Sequence, residues 1–452
     1  MATTTTTDES GIRARVMHKM AWRLMPFLGF LYFINYLDRT NIGFAAPHGM
    51  NEALGFTQAA FGLASGLFFI GYLVLEVPSN LALHKFGARR WIARIMVTWG
   101  IVASLMAFAH TAGTMYLLRF LLGIAEAGFF PGIIFYLTFW YPREARGKAV
   151  ALFMLAVPIS AVIGAPLSGW LISAGHQILF GLDGWRFMFL VEGVPAIVVG
   201  VMCWFYLTDR PEDAKWLAPD ERTWLANHMN AEHAQTEKQY RYTLREALTK
   251  PRILALCFVY FGIVYGLYAV SFFLPTIIAG FKQTFHTNFT VLQQGFIVAI
   301  PFFFGAIAMY YNGKHSDATG ERVWHVALAS IIGGIAVPIA LYLQSPYTAM
   351  AALTICVMGV CAALPTFWSL PTAFLTGAAA AGGIALINSL GNLAGFAAPY
   401  ITGWLTDLTG TEKAGLWVVG LMMVAAGIVA IALKATPEPE SAGAAKASVQ
   451  RA

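Results

Sequence analysis

Four ionisable side chains stand inside long apolar runs of this chain: Asp38 and Arg39 in one run, Arg119 and Glu126 in another. A charge at membrane depth is costly and marks a functional site by default. The chemistry open to such a set is specific. A buried carboxyl can take up and release a proton, because burial raises its pKa and a cationic neighbour lowers it. A guanidinium can hold a carboxylate through charge-assisted, often bidentate, hydrogen bonds. Asp38 and Glu126 are therefore the candidate proton carriers, and Arg39 and Arg119 the candidate carboxylate binders. The alternatives are a salt-bridge network that only positions helices and, for Asp38 and Arg39, snorkelling to the membrane surface. Burying two acids and two arginines without use is wasteful.

The apolar runs must position these groups. Hydrophobic residues make up 58% of the 452 residues and charged residues 12%, with a mean hydropathy of +0.64. Soluble globular chains carry about 25% charge, so this one lacks the polar surface to stay in water. Twelve spans are read, at 22–46, 57–78, 91–110, 114–139, 148–172, 187–207, 253–279, 291–311, 323–344, 347–371, 382–405 and 414–434. They divide the chain into an N-terminal tail (1–21), a six-span half (22–207), a polar linker (208–252) that could hold a short amphipathic helix, a second six-span half (253–434) and a C-terminal tail (435–452). Nearly all of the 29 Lys and Arg residues fall on the side that carries both termini, whereas the other side has Arg186, Lys282 and Lys413. By the positive-inside rule the termini are cytoplasmic. The net charge of +6 follows from this bias and implies no nucleic acid as partner. With the first span running outward, Asp38 lies about 12 Å from its outer end, and Arg119 and Glu126 about 8 Å and about 18 Å into the fourth span.

The two halves repeat. Asn80-Leu-Ala-Leu-His84-Lys-Phe-Gly87-Ala-Arg89 follows the second span, and Gly313-Lys-His-Ser-Asp317-Ala-Thr-Gly320-Glu-Arg322 follows the eighth. At nearly the same offset Pro131 meets Pro365, and Gly169-Trp170 meets Gly403-Trp404. Repeats of this kind place a solute site near the midplane, between the halves. The second half carries no Asp, Glu, Lys or Arg away from span ends. It offers neutral groups, among them Tyr265, Tyr268, Ser271, Trp368, Ser369, Asn388 and Asn392. These can bond hydroxyl or carboxylate oxygens, or merely join helices; Asn388 and Asn392 are spaced to share one helix face. Glu76 and Glu192, near span ends, read as structural. The four cysteines read as core residues. No cofactor, metal site or catalytic motif is found: there is no Walker motif, HExxH or GxSxG, which argues against a pump, a membrane hydrolase or any enzyme.

Twelve spans, a six-plus-six repeat and two G-x-x-x-D-x-x-G-x-R-like loops resemble the major facilitator superfamily over residues 20 to 435. More narrowly, N-Y-L-D-R-T-N at 35–41, E-V-P-S-N at 76–80, R-F-L-L-G-I-A-E at 119–126 and A-L-I-N-S-L-G-N-L-A-G-F at 385–396 resemble the anion:cation symporter family. The resemblance implies an all-α membrane protein with twelve transmembrane helices in two pseudo-symmetric six-helix bundles. It implies alternating access and proton-coupled import of a carboxylate, such as a tartrate-like, sugar-acid or aromatic acid. It supports the roles given to Asp38, Arg39, Arg119 and Glu126, and adds Tyr36, Tyr72 and Asn392 as substrate contacts. His84, Gly87, Arg89, Asp317, Gly320 and Arg322 would form the gating loops. The first loop departs from the superfamily form, with Asn80 for Gly and His84 for Asp, whereas the second keeps Asp317. The expected partners are a small organic anion, protons and the lipid bilayer, with a monomer sufficing; the expected location is a bacterial inner membrane. The competing readings are a proton-driven exporter of drugs or metabolites and a transporter-like membrane sensor.

Overall fold

The computed structural model describes residues 3–179, 181–239, 251–374 and 377–435, without the side chains of 3–9, 143, 233–239, 372–374, 377–382, 385 and 435. The regular elements among them are helices. Helix α1 (Thr3–Ala45) leads through a π turn, Ala46–Met50, to the short α2 (Asn51–Leu54). Then follow α3 (Gln58–Phe86), α4 (Ala88–Leu105), α5 (Ala112–Glu126), α6 (Phe129–Trp140), α7 (Arg143–Met154), α8 (Ala156–Ala174) and α9 (Gly184–Tyr206). Helix α10 (Pro219–Gln239) occupies the linker. The second half comprises α11 (Pro251–Phe285), α12 (Val291–Thr319), α13 (Val323–Ala340), α14 (Pro346–Phe367), α15 (Ser369–Phe374), α16 (Gly377–Thr409) and α17 (Lys413–Ala435).

Ten described helical stretches are long and apolar enough to cross a membrane. Helices α1 and α16 lie outside that count; α1 carries Arg23, Asp38 and Arg39 in its membrane half. Several helices contain proline: Pro26 in α1, Pro78 in α3, Pro275 in α11 and Pro399 in α16. Membrane helices tolerate this because neighbours satisfy the freed backbone groups.

Residues 3–21, read as the N-terminal tail, form the first turns of α1. They dock on α10, where Lys19 Nζ donates to both Glu221 carboxylate oxygens at 2.9 and 2.7 Å. The C-terminal tail, from residue 436 on, lies outside the described residues. The fourth span, a single candidate crossing at Ala112–Trp140, is built from two helices. It breaks at Ala127-Gly128, with Gly128 at φ +84°, so Glu126 becomes the last residue of α5. A side chain at Gly128 would be strained at that φ and would strike Ser79 of α3.

Each half packs by the same scheme. α4 lies on α9 as α13 lies on α17, and α3 lies on α5 as α12 lies on α14. The halves meet along three seams, α1 with α11, α3 with α16 and α8 with α12. Small residues let the seams close. Gly43 lies against the Ser271 and Phe272 backbone, Gly62 against Pro399, and Gly295 against the Ala165 backbone. Close approach at small residues is how helices associate where lipid removes the hydrophobic drive.

Candidate functional site

Asp38 and Arg39 are consecutive on α1, so their side chains point about 100° apart. That angle sends them to different places. Asp38 turns into the N-terminal half, fully buried, where its Oδ2 accepts from Trp99 Nε1 of α4 at 2.8 Å. Its Oδ1 has no hydrogen-bond partner among the described residues. Arg39 turns to the seam between the halves. Its Nε donates to Glu126 Oε1 at 3.0 Å, and its Nη2 also bonds that oxygen. On the other side its Nη1 donates to the Tyr268 hydroxyl of α11 at 3.0 Å, and Nη2 reaches Asn35 Oδ1 at 3.3 Å. The Phe68 and Tyr72 rings lie 5.1 and 5.6 Å from the guanidinium carbon, within cation–π range. One cation thus joins a carboxylate of the first half to a phenol of the second.

Arg119 is fully buried but spends its donors differently. It reaches the carbonyls of Ala64, Ser65 and Arg39 at 3.3 to 3.4 Å and lies 5.2 Å from the Phe68 ring. It ties α5 to α3 and α1. Its Nη1 has no partner among the described residues, and neither have Glu126 Oε2, Asn35 Nδ2 and the Tyr36 hydroxyl. These unspent buried groups give the charged set capacity for a ligand, water or proton, since buried polar groups are ordinarily satisfied. Tyr36 also lines a narrow cleft with Asn41, Ser160, Ser271 and Phe302. The cleft lies where α1 and α8 face α11 and α12.

The neutral candidates of the second half are not all brought to this cluster. Asn388 donates to Glu76 Oε1 at 2.7 Å instead of standing free beside Arg39. Asn392 is half-buried on the same helix. Trp368 packs on the Tyr260 ring at 4.8 Å, just before Ser369 opens α15. Glu192, read as structural, is buried with bonds from Asn41 at 2.9 Å and Ser168 at 2.7 Å.

The loop motifs reach like chemistry by different routes. In the second, Arg322 Nη1 bonds Asp317 Oδ1 at 2.6 Å, with Gly320 at φ +70° ending α12. In the first, His84 faces the Phe135 ring, and the acid comes from elsewhere in the chain. Asp209, after α9, accepts from the Arg89 backbone N–H at 2.8 Å and lies 3.6 Å from Arg89 Nε. Gly87, at φ +88°, leaves room for that carboxylate. Motif spacing gave no signal for Asp209. Tyr268 was visible as a neutral polar group, but nothing in its spacing pointed to Arg39.

A family model described as "Major Facilitator Superfamily" matches residues 28–399. A protein of Agrobacterium vitis named "Putative tartrate transporter" is 49% identical over 434 residues, covering 96% of this chain and 98% of that one. A "Quinolone resistance transporter" of Acinetobacter baumannii is 39% identical over 409 residues, covering 90% and 92%. Among solved structures, the xylose transporter XylE from E. coli superposes with a TM-score of 0.72 at 15% identity, over 94% of this chain and 99% of that chain. The chain belongs to the major facilitator superfamily, as a transporter of the anion:cation symporter type. It is an all-helical, multi-pass membrane transport protein of two pseudo-symmetric bundles, and not an enzyme.

Proposed function

We propose that the chain imports a small organic anion, a hydroxylated carboxylate of the tartrate type, together with protons. The observation that carries this reading is the sharing of Arg39 between Glu126 and Tyr268. A substrate carboxylate entering the seam competes with Glu126 for that guanidinium. Protonation of Glu126 weakens its hold and frees Arg39 for the substrate. Deprotonation on the far side restores the pair and expels the anion. The Arg39–Tyr268 bond links this exchange to the relative position of the halves.

Asp38, bonded to Trp99 and bare on its other oxygen, is the second proton carrier. Arg119 offers its unspent Nη1 to the substrate while its other donors hold α3. Tyr36, Tyr72, Asn392, Trp368 and Ser369 complete the reading as contacts to the anion, with Asn388 once Glu76 releases it. The gating loops at Gly87–Arg89 and Asp317–Arg322 lie on the cytoplasmic side, with both termini, in a bacterial inner membrane, and one chain suffices. Energetically, a potential negative inside opposes anion entry by about 2.3 kcal/mol per charge per 100 mV. Moving more protons than substrate charges reverses that sign.

The test is tartrate uptake into proteoliposomes under an imposed proton gradient. Accumulation that collapses with a protonophore is expected; uptake indifferent to it would sink the reading. The A. baumannii relative's name supports a second reading, proton-driven export of an aromatic drug. Quinolone efflux from everted vesicles without competition by tartrate would favour it.

A further inference from the structure

The α3–α16 seam is lined by small and apolar groups: Gly62 on Pro399, Gly66 on Phe396, Gly395 on Phe69 and Gly403 on Gln58. Two carboxylates bond across it, one from each half and near opposite ends. Asp407 of α16 accepts from the Gln58 and Ala59 backbone N–H groups at 3.1 and 2.8 Å, at the start of α3. Glu76 of α3 lies about 27 Å further along that helix at 1.5 Å per residue. Its two oxygens accept from Asn388 Nδ2 at 2.7 Å and Ser389 Oγ at 3.3 Å. Asp407 is exposed, whereas Glu76 is 5% exposed and has no salt-bridge partner within 4 Å among the described residues.

We propose that Glu76 is a proton-sensitive clasp between the halves, a positioning residue that holds α3 on α16 when ionised and lets them part when protonated. Both partners act as donors here, so an ionised carboxylate satisfies each, and charge-assisted bonds are about twice as strong as neutral ones. A proton on the oxygen facing Asn388 sets two donors against each other, because an amide nitrogen cannot accept. Apart from the Asp407 bonds at the far end, the seam contacts described above are glycines packed on the facing helix, which permits sliding.

The charged and titratable groups around Glu76 do not supply a fixed counter-ion. Arg39 of α1, Tyr260 of α11 and Tyr72 of α3 itself are its electrostatic neighbours. Arg39 is bound to Glu126 of α5, and Arg119 of α5 faces backbone carbonyls. Arg94 of α4 lies over the Trp91 ring, and Tyr136 of α6 bonds the Thr208 carbonyl. Asn388 and Ser389 of α16 are uncharged.

The inference rests on the transporter reading only in that the halves must part; it does not need Asp38 or Glu126 to carry protons. The test uses full-length protein in lipid nanodiscs without substrate. Nitroxide labels go on Lys85→Cys and Lys314→Cys, exposed positions near the same-side ends of α3 and α12; the four native cysteines are buried. Pulsed electron–electron distances are recorded from mildly alkaline to mildly acidic pH. In the parent, the ratio of near to far populations should fall about fivefold on acidification, the difference between charged and neutral hydrogen bonds. Glu76→Gln should stay at the parent's acidic ratio throughout. The double variant Asn388→Leu, Ser389→Ala, which keeps the carboxyl and removes both of its donors, should also lose the pH response. A parent-like titration in either variant would overturn the clasp. Failure of proton-coupled import would show in uptake by the unlabelled parent and leave this titration unchanged, so the two failures are distinguishable.

Discussion

The two halves share a helix scheme and differ in what they bury. The first half encloses Asp38, Arg39, Glu76, Arg119, Glu126, Arg186 and Glu192. Among the described residues the second half buries Ser271, Ser316, Ser330, Thr366, Asn388 and Thr402 as its polar groups, and no charge. A buried charge imposes a partner and a geometry, because losing the partner costs several kcal/mol. A buried hydroxyl or amide needs one or two hydrogen bonds and tolerates exchange of partners. The first half can therefore store a proton-dependent state. The second can present hydrogen-bonding groups to whatever that state releases. Pseudo-symmetry fixes where the helices run and leaves open which half does the titrating.

The most damaging single change should be Arg39→Ala. It removes the cation that both halves share and leaves Glu126 buried without a partner, a loss of about 3–5 kcal/mol. Thermal unfolding in detergent should show the drop, and ligand-induced stabilisation by tartrate should vanish. Retained stabilisation by ligand would show that Arg39 does not bind the substrate.

Next in size is Glu126→Gln. Removing titration without removing size should abolish net accumulation while substrate-for-substrate exchange continues, since exchange returns the carrier loaded. Both fluxes are measured on the same vesicles. If net accumulation survives, the proton moves through Asp38 or Glu192.

On the neutral side, Tyr268→Phe removes a hydrogen bond to a charged group. Such bonds are worth about 1.5–3 kcal/mol, so substrate affinity should fall about tenfold or more with coupling intact. Calorimetric titration gives the affinity, and the uptake ratio gives the coupling. Loss of coupling at unchanged affinity would show that the second half takes part in proton handling.

The smallest effect belongs outside the membrane. Burial raises the Glu221 carboxyl, but bonds from Lys19 and the Ala218 N–H outweigh it and hold its pKa below the ordinary value. Its stabilisation is therefore complete above the ordinary carboxyl range and fades as pH falls through the depressed value. At neutral pH Glu221→Gln should cost about 0.5–1 kcal/mol, given that Lys19 is partly exposed. Hydrogen exchange over the start of α1 should report it. Transport should not change, in contrast with the buried acids.

Much of this was written in the residue order. Apolar runs with few charges dictated membrane helices, because lipid accepts little else. The repeated loops dictated two like halves. The placing of Asp38, Arg39, Arg119 and Glu126 at depth marked the first half as the charged one. The tertiary structure alone decided how those charges are spent. Adjacent positions on α1 sent Asp38 to Trp99 and Arg39 to Glu126 and Tyr268, a division set by helix phase and by which neighbour each face meets. The break at Gly128, the carboxylate that Asp209 lends to the first loop, and the bond from Asn388 to Glu76 join residues whose spacing along the chain carries no signal. Asn388 and Glu76 lie 312 residues apart. Only the closing of α3 on α16, allowed by small residues along the seam, brings that donor to that acid.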